Sequence, residues 1–202
     1  MEKKIITISR EFGSGGRTIG HLLAEKLGIP FYDKELVDHI ALESGFAPGF
    51  VEEHGEHAPG KSIFAYAFAQ QSVPGVMNGL STADLLWHVQ CNVILQIAQQ
   101  GPCVIVGRNA DYILKDRTDC LHAFIHADKE FRAEHIVRLY GESEKTPAAR
   151  LNEKDKRRKL NYHHYTGRDW GDSKNYDICL NSGTLGIETC ADILYDIVMK
   201  SK

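Results

Sequence analysis

The sequence lacks a long apolar run, a strong charge of one sign and the start of a secreted protein. No stretch approaches the roughly 18 consecutive apolar residues that a transmembrane helix needs, and the N-terminal residues show no signal-peptide pattern. The 24 Lys and Arg residues against 27 Asp and Glu give a net charge of −3, which does not favour nucleic-acid binding. We therefore predict a cytoplasmic protein with neither a membrane segment nor a nucleic-acid partner.

Cysteine is scarce and scattered. The five cysteines contain no CxxC pair, the spacing that zinc sites and redox-active disulfides use. Three of them, Cys103, Cys120 and Cys179, lie in apolar runs typical of buried strands, where a thiol packs as a small apolar group. We therefore expect free cysteines that contribute to the core.

Short apolar runs alternate with stretches of helical periodicity along most of the 202 residues. This alternation is typical of βαβ units, so it predicts an α/β fold with an open parallel sheet and helices on both faces. The predicted strands are 4–9, 29–32, 102–106, 121–126 and 177–180. The predicted helices are 18–27, 34–43, 129 to about 140, and 187–199.

Residues 45–100 depart from this alternation because they contain no obvious strand. Glycine and proline punctuate the part up to residue 60, and helical pieces are predicted around 62–71 and 82–100. We interpret this stretch as a helical insertion into one domain that spans residues 1–202.

A glycine-rich loop, Gly13-Ser14-Gly15-Gly16, links the first strand to the first helix. Small residues let successive backbone N–H groups converge on phosphate oxygens, and the helix N-terminus adds further donors. In the phosphate-loop pattern G-x-x-x-x-G-K-[ST], Arg17 stands at the lysine, Thr18 at the hydroxyl that binds Mg²⁺, and Glu11 at the first glycine. The alternative is a glycine-rich turn without a ligand.

Two consequences follow for this loop. Arginine presents a planar fork rather than a compact ammonium group, so Arg17 need not point into the loop as lysine would. A branched side chain at Gly15 or Gly16 would occupy the space that a phosphate needs, and we expect it to abolish ATP binding while the fold stays intact.

A second candidate, Arg108, follows Gly107 directly after the apolar run 102–106. This position is at the carboxyl edge of a parallel sheet, where open α/β folds bind ligands, and arginine can clamp a phosphate or carboxylate. The alternative is a surface arginine paired with an acidic neighbour.

The third candidate is a basic segment. Residues 150–168 contain seven Lys and Arg against two acidic residues, a charge of +5 in a chain whose remainder carries −8. In a helix, Lys154 and Arg158 share one face, whereas Lys156 and Lys159 share another. A solvated charged face and a lid over polyphosphate, at about 145–168, both account for this pattern.

These pieces, in this order, resemble the cytidylate-kinase-like branch of the P-loop nucleoside monophosphate kinases. The matching stretches are 6–36, 104–114, 124–138 and 152–159. The resemblance implies a three-layer P-loop NTPase fold with a five-stranded parallel sheet, a helical monophosphate-binding insertion and a basic lid. It further implies ATP and Mg²⁺ on the loop, an acceptor near Asp33, Arg108 and the insertion, and phosphate contacts from Arg132 and Arg157. From the motif, the strand end and the basic segment we add Arg17, Arg108 and Arg158 to the predicted catalytic residues.

The chain departs from cytidylate kinases at three places. Those enzymes have lysine at the position of Arg17, Asp-Gly-Arg-Asp where this chain has residues 106–109, and Asp-Ser-Gly where this chain has residues 33–35. We therefore expect transfer from ATP to a small phosphorylated acceptor, a nucleoside monophosphate such as CMP. The alternatives are a kinase for another small metabolite and a nucleotide-binding regulator without turnover. The oligomeric state is left open.

Overall fold

The computed structural model describes residues 4–55 and 81–201. A five-stranded sheet forms the centre of the protein, in the order β2-β3-β1-β4-β5, and every neighbouring pair is parallel. This architecture confirms the predicted α/β fold. The strands are β1 Ile5–Arg10, β2 Phe31–Tyr32, β3 Cys103–Val106, β4 Cys120–His126 and β5 Ile178–Asn181.

Helices cover both faces of the sheet. On one face, Leu23 of α1 (Gly16–Leu27) and Leu194 of α9 (Ile187–Lys200) belong to the same buried apolar cluster as Ile8. On the other face, helices α2 (Lys34–Ser44), α3 (Pro48–His54) and α4 (Thr82–Gln100) contribute to a second cluster, in which Ile94 and Ile105 are buried. The helices are α1 Gly16–Leu27, α2 Lys34–Ser44, α3 Pro48–His54, α4 Thr82–Gln100, α5 Ala110–Ile113, α6 Lys129–Tyr140, α7 Pro147–Thr166, α8 Ser182–Leu185 and α9 Ile187–Lys200.

The predicted elements agree with these bounds to within a few residues. The helical piece predicted at 82–100 is confirmed as α4, whereas the piece predicted around 62–71 lies outside the described residues. The glycine- and proline-punctuated stretch before it contains the short helix α3, which begins at Pro48. Residues 150–166 of the basic segment lie in a single helix, α7, which Thr146 caps at its start and Gly167 ends in the left-handed conformation.

The five cysteines are free, as predicted. Burial raises the pKa of the Cys103 thiol to about 12, which keeps it protonated at neutral pH. In the part of the chain that the structure describes, no helix combines the length and apolar character needed to cross a bilayer.

Because all strands are parallel, their carboxyl ends lie at one edge of the sheet. This edge brings together Glu11 after β1, Asp33 after β2, and Arg108 after β3. It is the edge at which ligands of open α/β folds bind.

Candidate active site

A cleft of about 750 Å³ opens at this edge of the sheet. Its walls come from the loop before α1, the ends of β2 and β3, and helices α3, α6 and α7. Five cationic side chains line it against three carboxylates, so the cleft favours anionic ligands. Its charged lining consists of Arg10, Arg17, Arg108, Lys154 and Arg158 with Glu11, Asp33 and Glu52.

The glycine-rich loop has a conformation that requires glycine. Gly13 and Gly15 have φ angles of +82° and +77°, in the left-handed region that side chains disfavour. Gly15 is the N-cap of α1, so the first N–H groups of that helix face the cleft. This arrangement of glycines at a helix N-terminus suits an anionic group.

A branched residue at Gly16 was expected to block the phosphate while the fold stays intact, and this expectation is wrong because a side chain at Gly16 would clash with the protein itself. A Cβ at Gly16 would lie 2.5 Å from Cβ of Arg10 and 3.3 Å from Cβ of Ile125. Those atoms belong to the sheet, so the substitution would damage packing before it met a phosphate. A Cβ at Gly15 would likewise approach Ile187 Cδ1 at 2.8 Å.

Ser14 holds the loop from behind. Its buried hydroxyl lies 2.9 Å from the carbonyl oxygen of Glu11 and 3.1 Å from that of Ile125. The hydroxyl of Ser182 donates to the carbonyl oxygen of Ser14 at 2.6 Å. Ser14 therefore ties the loop to β4 through its side chain and to α8 through its carbonyl oxygen, and its side chain does not line the cleft.

The glutamate at the first-glycine position of the motif has a structural use. Oε2 of Glu11 accepts a hydrogen bond from the N–H of Ala127 at 3.2 Å. The same oxygen lies 3.4 Å from Nε of Arg132 on α6. Glu11 thus anchors the loop to the start of α6.

Arg132, expected to contact phosphate, is instead buried behind the loop, with 5% of its side chain exposed. Its Nη1 donates to Oδ2 of Asp155 at 2.6 Å and to the carbonyl oxygen of Phe12 at 3.2 Å. The contact with Glu11 is an ion pair without hydrogen-bond geometry, so Nε of Arg132 has no hydrogen-bond acceptor within the described ranges. The structure does not bring this guanidinium into the cleft.

Asp155 on α7 completes the connection. Its Oδ1 accepts a hydrogen bond from the N–H of Phe12 at 2.8 Å, while its Oδ2 binds Arg132. The basic segment is thereby tied to the loop through an acidic residue.

Arg17, at the lysine position of the motif, pairs with a carboxylate at the end of β2. Its Nε lies 2.7 Å from Oδ2 of Asp33, with half of the Arg17 side chain exposed. The side chain therefore extends toward the end of β2. Thr18, one residue further along α1, also lines the cleft.

Arg108 and Asn109 follow β3 with φ angles of +58° and +55°, which two consecutive non-glycine residues rarely adopt. Arg108 is buried, and its Nη1 donates to the carbonyl oxygen of Val51 in α3 at 3.1 Å. The side-chain amide of Gln90 donates to the Arg108 carbonyl at 2.9 Å. Helices α3 and α4 thus both hold Arg108 at the cleft.

Helix α7 presents one face to the cleft. Lys154 and Arg158, one helical turn apart, line it. Arg158 Nη1 donates to the carbonyl oxygen of Arg10 at 3.0 Å, and its guanidinium lies 6.0 Å from the ring centre of Phe12. Arg157 lies outside the cleft and pairs with Glu153 at 2.7 Å. The sequence predicts that residues 154 and 158 share one helix face, and the structure places that face at the cleft.

Further contacts fix α7 as a wall of the cleft. The amide of Asn109 donates to Oδ1 of Asn161 at 2.9 Å. Nearer the C-terminal end, the ring of Tyr165 stacks on Trp87 of α4, with centroids 4.3 Å apart and planes at 8°. These contacts join α7 to α4 and to the end of β3.

Two groups at the site were missed by sequence reasoning. His135 lies under the loop, and its Nδ1 is 2.7 Å from the carbonyl oxygen of Gly13. Since a carbonyl only accepts, Nδ1 carries the hydrogen. His135 follows Arg132 at the i+3 position, so the helical spacing places both on one face of α6.

The other group is a buried carboxylate, Asp111. The hydroxyl of Ser9 donates to its Oδ1 at 3.0 Å, and that of Tyr162 to its Oδ2 at 2.7 Å. Burial raises the pKa of Asp111, which the two hydroxyl donors partly oppose. Burial and the carboxylate also raise the pKa of Tyr162, so its phenol remains a donor. The sequence offers no indication of this contact, because its partners lie far apart along the chain.

Comparison with known proteins adds a family. Residues 5–184 match the cytidylate kinase-like family. No functionally curated protein matches the sequence. An uncharacterized protein from Eubacterium ventriosum ATCC 27560 is 30% identical, with 96% of this chain and 98% of that one covered and a TM-score of 0.71.

Two kinases of known structure share the fold at low identity. Shikimate kinase from Acinetobacter baumannii, solved with shikimate, is 15% identical, with coverage of 98% and 94% and a TM-score of 0.56. A gluconokinase from Sinorhizobium meliloti 1021 is 14% identical, with coverage of 98% and 95% and a TM-score of 0.54. These likenesses show that the chain shares the fold of these two kinases.

Proposed function

The chain belongs to the cytidylate kinase-like family, and from that premise we propose that it transfers the γ-phosphoryl group of ATP to a nucleoside monophosphate such as CMP. One observation carries the proposal. A single cleft joins the phosphate loop, the pair Asp33 and Arg108 at the neighbouring strand ends, and the cations Lys154 and Arg158 of α7. A donor site and an acceptor site thus share one cavity.

ATP binds at the loop in this proposal. The N–H groups at the start of α1 face the cleft and complement the phosphate charge. The hydroxyl of Thr18 lines the same space and would hold Mg²⁺ together with phosphate oxygens of the nucleotide. When bound, Mg²⁺ neutralises charge on the phosphates. Glu11, Ser14 and His135 hold the loop from behind, so its donors are positioned before the nucleotide arrives.

The acceptor binds between β2 and α3. Arg108 provides a cation for the phosphate of the acceptor. The carboxylates of Asp33 and Glu52 can accept hydrogen bonds from hydroxyl or amino groups, which a nucleoside carries on its ribose and on bases such as cytosine. A site that binds a phosphate through Arg108 and hydrogen-bond donors through carboxylates fits a phosphorylated nucleoside.

The reaction depends on position and charge. Phosphoryl transfer requires little covalent chemistry from the protein, and catalysis rests on alignment and on stabilising charge at the transferring group. Lys154 and Arg158 approach the cleft from α7 and are the cations placed to do this. Nucleophilic attack by an acceptor phosphate oxygen forms the new P–O bond, the bond to the β-phosphate oxygen breaks, and ADP leaves.

A regulator without turnover is the second candidate, and the pairing of Arg17 with Asp33 favours it. With no lysine in the loop and its replacement engaged elsewhere, the protein could bind ATP without transferring phosphate. The two candidates differ in whether an acceptor accelerates ADP formation.

A coupled assay for ADP release decides between them. ATP is supplied with CMP, dCMP, UMP, AMP or GMP, and with shikimate and gluconate as acceptors suggested by the kinases of similar fold. We expect faster ADP release with a nucleoside monophosphate, and we expect Arg108→Met to raise the KM for that acceptor while ATP affinity is unchanged. Binding of ATP without acceptor-dependent ADP release would favour the regulator, and acceleration by shikimate or gluconate alone would indicate a kinase for another metabolite.

A further inference from the structure

The direction of the Arg17 side chain is unusual for its place in the loop. Arg17 lies in the first turn of α1, which follows β1 after the glycine-rich loop, whereas Asp33 directly follows β2. Strand β3 lies between these two strands, so their ends are separated by about 10 Å, or two strand spacings. The Arg17 side chain spans this gap and pairs with Asp33 at 2.7 Å. A cation from the donor side is therefore held on the acceptor side.

The atom that makes the contact matters. Nε is the guanidinium nitrogen nearest the aliphatic stem, so pairing at Nε fixes the direction of the stem as well as that of the tip. While this contact persists, the stem extends toward β2. The guanidinium is thereby engaged by Asp33 and is not available to the phosphates that the proposed function places at the start of α1.

We propose that Asp33 is a positioning residue that holds Arg17 on the acceptor side until an acceptor binds. Hydroxyl or amino groups of the acceptor then donate to the Asp33 carboxylate, which releases Arg17 for the phosphates of ATP. This proposal rests on the proposed function. Its consequence is that ATP without an acceptor meets an incomplete set of cations, which suppresses attack of water on the γ-phosphorus to give ADP, inorganic phosphate and a proton.

The environment of the pair suits a contact that breaks and re-forms. The side chains of Arg17 and Asp33 are 50% and 16% exposed, whereas those of the loop-anchoring pair Arg132 and Asp155 are 5% and 13% exposed. Partly exposed pairs contribute little free energy, so ligand groups can displace them. Removing such a pair corresponds to a change of about two- to fivefold in an equilibrium that depends on it.

Four variants test the proposal: Asp33→Asn, Arg17→Gln, the double variant, and the control Asp38→Asn. The control removes an exposed carboxylate from α2, the helix that follows Asp33. Two quantities are measured without acceptor: affinity for a fluorescent ATP analogue, and the slow release of ADP from ATP. We expect Asp33→Asn to tighten binding and to raise ADP release about two- to fivefold. In the Arg17→Gln background the same change should have no effect, and Asp38→Asn should behave as the unmodified protein.

Three results would overturn the proposal. Asp33→Asn could leave both quantities unchanged, its effect could persist in the Arg17→Gln background, or Asp38→Asn could produce the same gain through net charge alone. A thermal melt of each variant separates these outcomes from unfolding, and Asp33 makes no side-chain cap to α2 that asparagine would remove. Failure of the unmodified protein to bind ATP is a different result, which would contradict the proposed function itself.

Discussion

The contact between Asp155 and the phosphate loop gives the sharpest prediction for stability. Asp155→Ala removes the acceptor of the Phe12 N–H and the closest carboxylate of Arg132, whose side chain is 5% exposed. A guanidinium with no adequate counter-charge then remains buried behind the loop. We expect both stability and ATP affinity to fall, because the same carboxylate holds the loop and α7 together.

The magnitude follows from the partners that remain. Removing one member of a buried pair typically costs about 3–5 kcal/mol. Glu11 stays within 3.4 Å of the Arg132 Nε and offsets part of the charge, so we expect the lower end, about 3 kcal/mol. For a protein of this size this corresponds to a decrease in Tm of about 6–12 °C.

A neighbouring carboxylate on the same helix provides the control. Glu153 pairs with Arg157 and Lys145 at the surface, with a third of its side chain exposed. Glu153→Ala should lower stability by about 1 kcal/mol at most. Thermal melts of the two variants, with affinity for an ATP analogue measured on each, make the comparison. Equal shifts in Tm would refute the assignment of Asp155 as the buried anchor.

Three further predictions concern Arg158, Gly16 and Thr18, which line the cleft. Arg158→Ala should lower acceptor-dependent turnover by about 10²-fold or more with little change in Tm, whereas Arg157→Ala should leave the rate nearly unchanged; equal steady-state rates would contradict this. Gly16→Ala should destabilise the fold by about 1–3 kcal/mol, because its Cβ meets Arg10, and a thermal melt like that of the unmodified protein would argue against the predicted clash. Thr18→Ala should raise the Mg²⁺ concentration needed for half-maximal rate, and Thr18→Ser should restore it; a Mg²⁺ titration that matches the unmodified protein would make Thr18 structural.

The order of strands and helices was readable from the sequence because it depends on local patterns. The apolar run 102–106 and the helical spacing of 187–199 each describe one element and need no knowledge of its neighbours. The phosphate loop was also readable, since its glycines lie next to one another and between a strand and a helix. The residues that define these strands, helices and the loop lie close to one another along the chain.

The contacts of the arginines could not be predicted from the sequence in the same way. The partners of Arg132 are Glu11 and Asp155, which lie more than 100 residues before it and 23 residues after it. A buried ion pair and a phosphate contact use the same residue type, and only the packing of α6 against the loop and α7 distinguishes them. For Arg157 and Arg158, adjacency in the sequence conceals that a helix directs the two side chains differently.

Direct transfer of a labelled γ-phosphoryl group tests the central claim. The protein is mixed with γ-labelled ATP, Mg²⁺ and each nucleoside monophosphate in turn, and the products are separated. The account predicts label in a nucleoside diphosphate, formed much more slowly by Arg158→Ala in a sample that remains folded. Label that stays in ATP, or appears only in inorganic phosphate, from protein shown to bind ATP would contradict it.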